Sequence, residues 1–264
     1  MTEIETLIDL LQKKQPLSAM LAPSFPVVYE YPQIVGKLKR IGFAHVVEVT
    51  AGAKRTNEMV VAALLKDPTS RFITSPCPSF VRMIRTKRPD VVPFLALSVD
   101  SPMVATAKIV HENYPQDKPI FIGPCNAKKF EANEDHPELN ILSLTYKEMD
   151  EVFKAFNMVD DPNDATAKFN IEYAATRLFP ISGGLAQSSG VRAILAEDEV
   201  EVVSGWTNSA EAIERFLQGN RVRLLDILFC EGGCVHGPGV DSPLSLEERR
   251  QKVLNYWLSI SAHI

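Results

Sequence analysis

The feature that most constrains the fold is a repeated pairing of a short apolar run with a loop that carries cysteine. All four cysteines of the chain follow such runs: residues 71–74 lead to Cys77, residues 119–123 to Cys125, and residues 223–229 to Cys230 and Cys234. Helical patterns separate the runs, and this alternation predicts parallel strands joined by helices. Because ligands gather at the carboxyl ends of parallel strands, each cysteine lies where this kind of fold places its chemistry.

The loop after the third run, residues 229–239, is the most glycine-dense segment of the chain. Gly232 and Gly233 lie between Cys230 and Cys234, and glycine can adopt the positive φ that lets the backbone pass close to a bulky inorganic group. Backbone N–H groups in such a loop can also point at sulfur. We interpret the loop as a metal-binding turn. For this pair alone, the alternative is two small buried residues on a glycine turn.

Four cysteines match the number of protein ligands that a zinc site or an iron–sulfur cluster generally needs. Structural zinc sites usually take their ligands from close pairs, whereas Cys77 and Cys125 each stand alone in the sequence. An iron–sulfur cluster is therefore the favoured cofactor and zinc the alternative. In a reducing compartment, an even number of cysteines is better explained by metal ligation than by disulfides.

Composition narrows the classes of partner. The 264 residues are 45% hydrophobic and 23% charged, which is ordinary for a globular protein with one large core or two smaller ones. A net charge of −5 provides no basic field for nucleic acid or anionic membranes, so neither is an expected partner. The N-terminus is acidic and polar, unlike a signal peptide, and no apolar run approaches ~18 residues. We expect a cytoplasmic protein with no membrane association.

The predicted fold class is α/β, with two lobes that are each a mostly parallel sheet flanked by helices, and with an iron–sulfur site in the cleft between them. We expect a leading helix within residues 1–16, a first lobe at 17–112, a second lobe at 117–240, and a closing helix within 241–264. Apolar spacing predicts helices at residues 3–14, 29–41, 54–65, 79–86, 102–114, 147–156, 185–196, 209–217 and 246–260. Strands are predicted at residues 17–22, 45–49, 71–74, 119–123, 139–144, 200–205 and 223–229, and an exposed loop at 157–170.

Polar side chains near the cysteines are further candidates. Lys128, three residues after Cys125, can bring positive charge to an anionic cluster, and Glu131 can pair with it at i+3 on one helical face. The alternative for this pair is a solvated salt bridge at a helix start. His236 can bind a metal or relay protons, although a lone histidine beside a glycine turn is more often a partly exposed polar residue.

The three cysteine loops resemble, in order, the three signature segments of the C-terminal catalytic domain of the iron-only hydrogenase large subunit. That family has Thr-Ser-Cys-Cys-Pro, Met-Pro-Cys-x-x-Lys-x-x-Glu and Met-x-Cys-x-Gly-Gly-Cys there. In this chain the segments are Thr74-Ser75-Pro76-Cys77-Pro78, Gly123-Pro124-Cys125-Asn126-Ala127-Lys128-Lys129-Phe130-Glu131 and Leu228-Phe229-Cys230-Glu231-Gly232-Gly233-Cys234. Weaker matches at Ala22-Pro23-Ser24, Gly183-Gly184 and Glu248-Arg249-Arg250 extend the resemblance over nearly the whole chain.

The resemblance implies a 4Fe–4S cluster held by Cys77, Cys125, Cys230 and Cys234. It also implies that Cys234 bridges to a diiron subsite carrying CO, cyanide and a dithiolate, with H2 or protons as the small-molecule ligand. The residues implied to enclose or hydrogen-bond this subsite are Pro23, Ser24, Pro124, Lys128, Glu131 and Gly233.

The chain departs from the family at positions that handle protons. Pro76 replaces a free cysteine that passes protons to the diiron site, and proline has neither a titratable group nor an N–H. Gly123 and Leu228 replace methionines, and Leu97 stands where the family has a relay serine. The polar end of the third segment becomes His236-Gly237-Pro238-Gly239-Val240. General acid–base catalysis contributes ~10²–10⁴ in rate, so these changes predict slow turnover with the cluster retained.

This pattern resembles the divergent, sensory branch of the family, and we expect a low-activity or hydrogen- or redox-sensing protein of an anaerobe, associated with a PAS or other signalling domain. No ferredoxin-type Cys-x-x-Cys-x-x-Cys run is present, so the expected electron source is a ferredoxin-like donor or an N-terminal ferredoxin domain. One alternative is an active hydrogenase with a different proton path. The other is a cubane-only electron-transfer or structural protein, like the eukaryotic relatives in cluster assembly and nuclear architecture, which generally lack an equivalent of Lys128.

Overall fold

The protein is described by a computed structural model that covers residues 1–261. Within these residues, seven strands form two sheets: β1 (Leu17–Leu21), β2 (His45–Glu48), β3 (Phe72–Ile73), β4 (Lys118–Gly123), β5 (Leu142–Thr145), β6 (Val200–Ser204) and β7 (Leu224–Leu228). The α-helices are α1 (Glu3–Gln12), α2 (Gln33–Ile41), α3 (Thr50–Lys66), α4 (Pro78–Lys87), α5 (Pro102–Asn113), α6 (Ala127–Phe130), α7 (Tyr146–Ala155), α8 (Gly184–Ser188), α9 (Trp206–Leu217) and α10 (Leu246–Ser261). Short 3-10 helices occupy several of the connections.

Both sheets are parallel throughout, as the alternation of apolar runs and helical patterns predicts. The four-stranded sheet has the order β2-β1-β4-β5, and the three-stranded sheet has the order β3-β7-β6. All five residues of β1 are buried, because helices cover both faces of its sheet. In the three-stranded sheet, one face packs on α4 and α9 through residues such as Phe80 and Phe216, and the other packs on α3 and α8. The predicted α/β class with helix-flanked parallel sheets is confirmed.

The division of the chain between the sheets differs from the prediction. The four-stranded sheet takes β1 and β2 from before residue 113 and β4 and β5 from after residue 117, while the three-stranded sheet pairs β3 with β7 at Phe72 and Leu224. Each sheet therefore takes strands from both of the proposed segments, 17–112 and 117–240. Apolar runs identify parallel strands, but their neighbours are chosen by packing between residues far apart in the chain.

Several element boundaries also differ. The predicted helix at 185–196 ends after Ser188, because Gly190 turns the chain with φ +79 and a 3-10 helix follows at Val191–Ala193. The helix predicted from residue 29 begins at Gln33, directly after Pro32. The strand predicted at 139–144 is β5, and residues 157–170 are not uniformly exposed, since Asp164 and Phe169 are buried.

The two terminal helices lie close to their predicted places. α1 begins after Thr2, whose hydroxyl caps the helix while the Glu5 carboxylate accepts a hydrogen bond from the Thr2 N–H. α10 covers residues 246–261 of the predicted closing segment, and residues 262–264 lie outside the described residues. No helix within residues 1–261 is both long enough and apolar enough to cross a bilayer.

α10 is attached to the core through a buried ion pair. The Tyr256 hydroxyl donates to Glu48 Oε1 at 3.0 Å, and the guanidinium of Arg177 donates to both Glu48 oxygens at 2.9–3.1 Å. Arg177 and Glu48 are both fully buried. Burial raises the pKa of Glu48, and Arg177 and the hydrogen bonds to the carboxylate oppose that rise. The network joins the end of β2, the segment around Arg177 and the closing helix.

Candidate metal centre

A cavity of about 80 Å³ lies where the carboxyl ends of the two sheets meet. Cys77, Cys125, Cys230 and Cys234 all line it. Its wall also includes five of the six other predicted site residues, namely Pro23, Ser24, Pro124, Lys128 and Gly233. Glu131 lies behind this wall, where its carboxylate binds the Lys128 ammonium. The loops that the sequence singles out therefore converge on one place.

The two sheets contribute unequally to the cysteines. β3 delivers Cys77, which is immediately followed by α4, and β7 delivers Cys230 and Cys234. Only Cys125 comes from the four-stranded sheet, in the loop between β4 and α6, and its sulfur lies 3.6 Å from Ser79 Oγ. The full set of thiols thus depends on both sheets being assembled.

The thiols interact electrostatically as a group. Burial raises the pKa of Cys230 to about 12, with further contributions from Cys77 and Cys125. Burial likewise raises the pKa of Cys234, and the other three cysteines add to the effect while Lys128 opposes it. The pKa of Cys77 is raised by burial and lowered by the backbone N–H of Phe229. The raised pKa values favour the protonated thiols at neutral pH, so metal binding here would release protons.

The glycine turn between Cys230 and Cys234 has the predicted backbone conformation. Gly232 and Gly233 have φ values of +73 and +101. A Cβ atom on Gly233 would lie 2.6 Å from the carbonyl oxygen of Pro180, and one on Gly232 would lie 2.6 Å from the Leu246 side chain. Any side chain at either position would therefore displace this loop from the segment around Pro180 or from α10.

The donor set is wider than a site for one ion. Across residues 1–261, no three Cys, His, Asp or Glu side chains are grouped closely enough to hold a single metal ion. The four thiols instead stand around a shared cavity with largely apolar walls. Four thiols around one cavity would fit an iron–sulfur cluster, which takes cysteine thiolates as its protein ligands.

The Lys128 ammonium lies on the cavity wall and is held from three sides. It donates to Glu131 Oε2 at 2.6 Å, to Ser101 Oγ at 3.1 Å and to the Pro76 carbonyl at 3.2 Å. Lys128 and Glu131 are both more than nine-tenths buried, so the solvated salt bridge considered above is wrong. An ammonium has three N–H donors, and each of them has a protein acceptor here.

The Pro23–Ser24 part of the wall is fastened by a tyrosine. The Tyr146 hydroxyl donates to the Ala22 carbonyl at 3.0 Å and lies 2.7 Å from Ser24 Oγ. Tyr146 is fully buried, and burial raises its pKa, with the charge of Cys234 adding to the rise. At neutral pH this group therefore acts as a fixed hydrogen-bonding partner of the loop.

Residues 15–238 match the family described as iron only hydrogenase large subunit, C-terminal domain. The chain belongs to this family. One relative, the NADP-reducing hydrogenase subunit HndD of Solidesulfovibrio fructosivorans, is 23% identical over 78% of this chain and 45% of that protein. The chain thus spans less than half the length of this relative.

Solved structures of iron-only hydrogenases have the same fold. A variant of the FeFe hydrogenase HydA1 from Chlamydomonas reinhardtii superposes with a TM-score of 0.74 at 18% identity, covering 96% of this chain and 88% of that one. A second HydA1 variant, in its apo form, gives 0.73 at 17% identity with the same coverage. The sequence-based assignment to the iron-only hydrogenase family is confirmed.

The positions that depart from the hydrogenase family occupy different surroundings. Pro76 and Leu228 line the cavity. Gly123 leaves room for the Phe121 ring, since a Cβ at Gly123 would lie 2.5 Å from that ring, and Phe121 lines the cavity as well. Leu97 is 45% exposed and is absent from the cavity wall, and the His236 side chain is exposed.

Sequence reasoning missed four residues that shape this region. Tyr146, Ser101 and Phe121 were not singled out, because a core aromatic or a helix-capping serine has no distinguishing local pattern. Asp226 did carry a signal, as the single acidic residue within the apolar run of β7, four residues before Cys230. An ionisable group inside a central parallel strand is unusual.

Proposed function

We propose that this chain holds a 4Fe–4S cluster through Cys77, Cys125, Cys230 and Cys234 and serves as a low-activity or hydrogen- or redox-sensing module. The observation that carries the proposal is the convergence of all four cysteines on one cavity between the sheets. Family membership and the mutual electrostatic effects among the thiols support it. When bound, such a cluster supplies a one-electron redox centre.

The residues around the thiols have definable tasks in this proposal. The Phe229 N–H, which already lowers the pKa of Cys77, stabilises the thiolate form of that ligand. Lys128 brings one positive charge to a cavity that would otherwise collect only negative charge. The largely apolar wall excludes water, which strengthens each of these interactions.

The low-activity part of the proposal is based on Pro76. It lies on the cavity wall, where its ring can neither hold nor release a proton, and its carbonyl accepts a hydrogen bond from Lys128. A missing general acid or base is typically worth ~10²–10⁴ in rate. Slow turnover with intact ligand binding is the behaviour that suits a sensor, and the signalling partner and a ferredoxin-like electron donor belong to the same proposal.

Anaerobic reconstitution with iron and sulfide tests the cluster. We expect about four irons per chain, a brown absorbance, and release of protons on assembly because the pKa values of the thiols are raised. A single zinc or iron ion per chain, bound without sulfide, would contradict the proposal.

A cubane-only protein is the second candidate, favoured by the surroundings of Lys128 and of Gly123. All three Lys128 N–H groups are already engaged by Glu131, Ser101 and Pro76, and the Phe121 ring fills the space beside Gly123. Infrared spectroscopy after maturation with the diiron cofactor separates the two candidates. CO and cyanide bands favour the sensor or hydrogenase, whereas their absence leaves the cubane-only protein.

If the bands are present, hydrogen evolution by Pro76→Cys decides between slow and efficient catalysis. We expect the variant to be faster than wild type, by no more than the ~10²–10⁴ that acid–base help provides. A wild-type rate that is already high, and unchanged by the substitution, would favour an active hydrogenase with a different proton path.

A further inference from the structure

Asp226 is a buried carboxyl group that no function described so far uses. It lies on β7, the strand that ends at Cys230, and its side chain is 3% exposed. Its two hydrogen bonds are long: Thr74 Oγ1 donates to Oδ1 at 3.3 Å, and the Ala186 N–H donates to Oδ2 at 3.3 Å. The carboxyl therefore has two neutral donors and lacks the cation that buried carboxylates usually need.

The position of Asp226 couples it to the cysteines. Thr74 is the residue after β3 and lies three residues before Cys77, so the carboxyl on β7 is hydrogen-bonded to the segment that leads from β3 to Cys77. Side chains alternate along a strand, so Asp226 shares a face with Leu224. Leu224 packs in a cluster with Ala53 and Phe179, and both of those residues line the cavity. Asp226 thus lies on the face that packs on α3 and α8, whereas Cys77 and Cys234 pack in the cluster on the opposite face, and the cavity at the carboxyl end of the sheet borders both clusters.

The other charged groups on the elements around Asp226 are either paired with a partner of opposite charge or exposed. Neither β3 nor α8 carries an ionisable side chain, and β6 has Glu201, which is paired with Arg215. On α3 the charged residues are Lys54 and Glu58, paired with each other, Arg55, paired with Glu112, and the exposed Lys66. Burial raises the pKa of Asp226 to about 6, and its two hydrogen bonds oppose that rise.

We propose that Asp226 is the redox-linked proton acceptor of this protein, taking a proton from solvent when the metal centre at the four cysteines gains an electron. This inference rests on the proposed 4Fe–4S function. The step is balanced: one electron from an external one-electron donor enters the cluster, one proton enters the Asp226 carboxylate, and reoxidation releases both. The proton bound by Asp226 then offsets the negative charge that the electron adds to the cluster.

The size of the coupling follows from distance. Asp226 lies two residues before the end of β7 at Leu228, and Cys230 follows two residues after that end, so at ~3.3 Å per residue the two residues are separated by at most about 13 Å. One additional negative charge at that distance, in an effective dielectric of about 20, raises the proton affinity of the carboxyl about tenfold. A tenfold change corresponds to about 59 mV for one electron.

Redox titration of the reconstituted protein from pH 5 to pH 8 tests the proposal. We expect the midpoint potential of the wild-type cluster to fall by about 59 mV in total as pH rises through the range in which Asp226 titrates. In Asp226→Asn the potential becomes independent of pH. Asp117→Asn is the matched control, because Asp117 is a buried carboxyl at the amino end of β4, in the other sheet and at the opposite end of the strands from the cysteines, and this variant should retain the wild-type slope.

Three outcomes overturn the assignment: a flat wild-type titration, a slope that survives in Asp226→Asn, or a slope lost equally in Asp117→Asn. If Asp226→Asn does not incorporate a cluster, the wild-type redox difference infrared spectrum decides instead. A carboxylic-acid carbonyl band that appears on reduction and shifts in Asp226→Glu supports the proposal, and its absence overturns it. Failure of wild-type protein to bind a cluster would refute the proposed function rather than the role of Asp226.

Discussion

The three-stranded sheet supplies Cys77, Cys230 and Cys234, whereas the four-stranded sheet supplies Cys125 together with most of the polar groups on the cavity wall. The charges of the two sheets are also handled differently. In the four-stranded sheet the buried acid Glu48 is bound by Arg177, while in the three-stranded sheet Asp226 has no cation. The buried acid of the four-stranded sheet is thus held in an ion pair, whereas the buried acid of the three-stranded sheet is free to gain or lose a proton.

The largest expected effect is loss of the cluster when a cysteine from either sheet is replaced. Cys125→Ser removes the one thiol of the four-stranded sheet, and Cys230→Ser removes one of the three on the other side. We expect either change to abolish the brown absorbance, because the cluster needs all four thiolates. Ser79→Ala, which alters the neighbour of Cys125 but no ligand, is the control. A variant that keeps the full absorbance removes its cysteine from the ligand set.

The second-largest effect is expected from removing the cation that pairs with the buried Glu48 in the four-stranded sheet. Arg177→Met leaves Glu48 buried without its cation, and breaking a buried pair in this way costs ~3–5 kcal/mol. Thermal or urea unfolding measures the loss. Adding Glu48→Gln should recover part of it, since no uncompensated acid then remains. Equal losses in the single and double variants would show that the packing of Arg177 on Tyr256, and not charge, dominates.

The third prediction concerns the stability of the three-stranded sheet as pH changes. The folded-state pKa of Asp226 is about 6, above the ordinary value of 3.8, so its contribution to stability is complete below about pH 4 and is lost as pH rises through 6. This difference corresponds to about 3 kcal/mol. Asp226→Asn should therefore stabilise the protein at pH 8 and have little effect at pH 4, as measured by unfolding at each pH. A gain that is the same at both values would mean that titration of Asp226 is not its cause.

The smallest expected effect is a local loosening of the cavity wall when the Tyr146 hydroxyl is removed. Tyr146→Phe removes a buried hydroxyl from Ala22 and Ser24, and leaving those partners unsatisfied costs about 1–3 kcal/mol. Amide hydrogen exchange should increase in the Ala22–Ser24 loop and not in the Cys230–Cys234 turn. Equal increases in both segments would show that the two walls do not behave independently.

The positions of the cysteines at strand ends could be predicted from the sequence, but the pairing of the strands could not. Cys77, Cys125 and the Cys230–Cys234 pair were recognisable because each follows an apolar strand, and the carboxyl ends of parallel strands share an edge. The pairing of β3 with β7 was not recognisable, because Phe72 and Leu224 carry no local mark of one another. The helix break at Gly190 was missed because apolar spacing continues past it, whereas its φ of +79 ends the helix.

Within the site, contacts between residues close in sequence could be predicted, whereas contacts between distant segments could not. Lys128 and Glu131 were paired from their i, i+3 spacing, and their hydrogen bond at 2.6 Å is local. Ser101 and the Pro76 carbonyl, which complete the set of Lys128 acceptors, come from distant segments that only the folded chain brings together. Tyr146 and Ala22 are likewise far apart in sequence.

The pairing of β3 with β7 has a consequence for synthesis on the ribosome. The four-stranded sheet has all its strands once Thr145 has emerged, but the three-stranded sheet must wait for Leu228. Cys77 and Cys125 are therefore translated well before the other two ligands exist, and β3 has no partner strand during that interval. A cofactor delivered to the nascent chain would find an incomplete set of thiols. Metal loading must follow translation of Cys234, which makes it a late event in the life of the polypeptide.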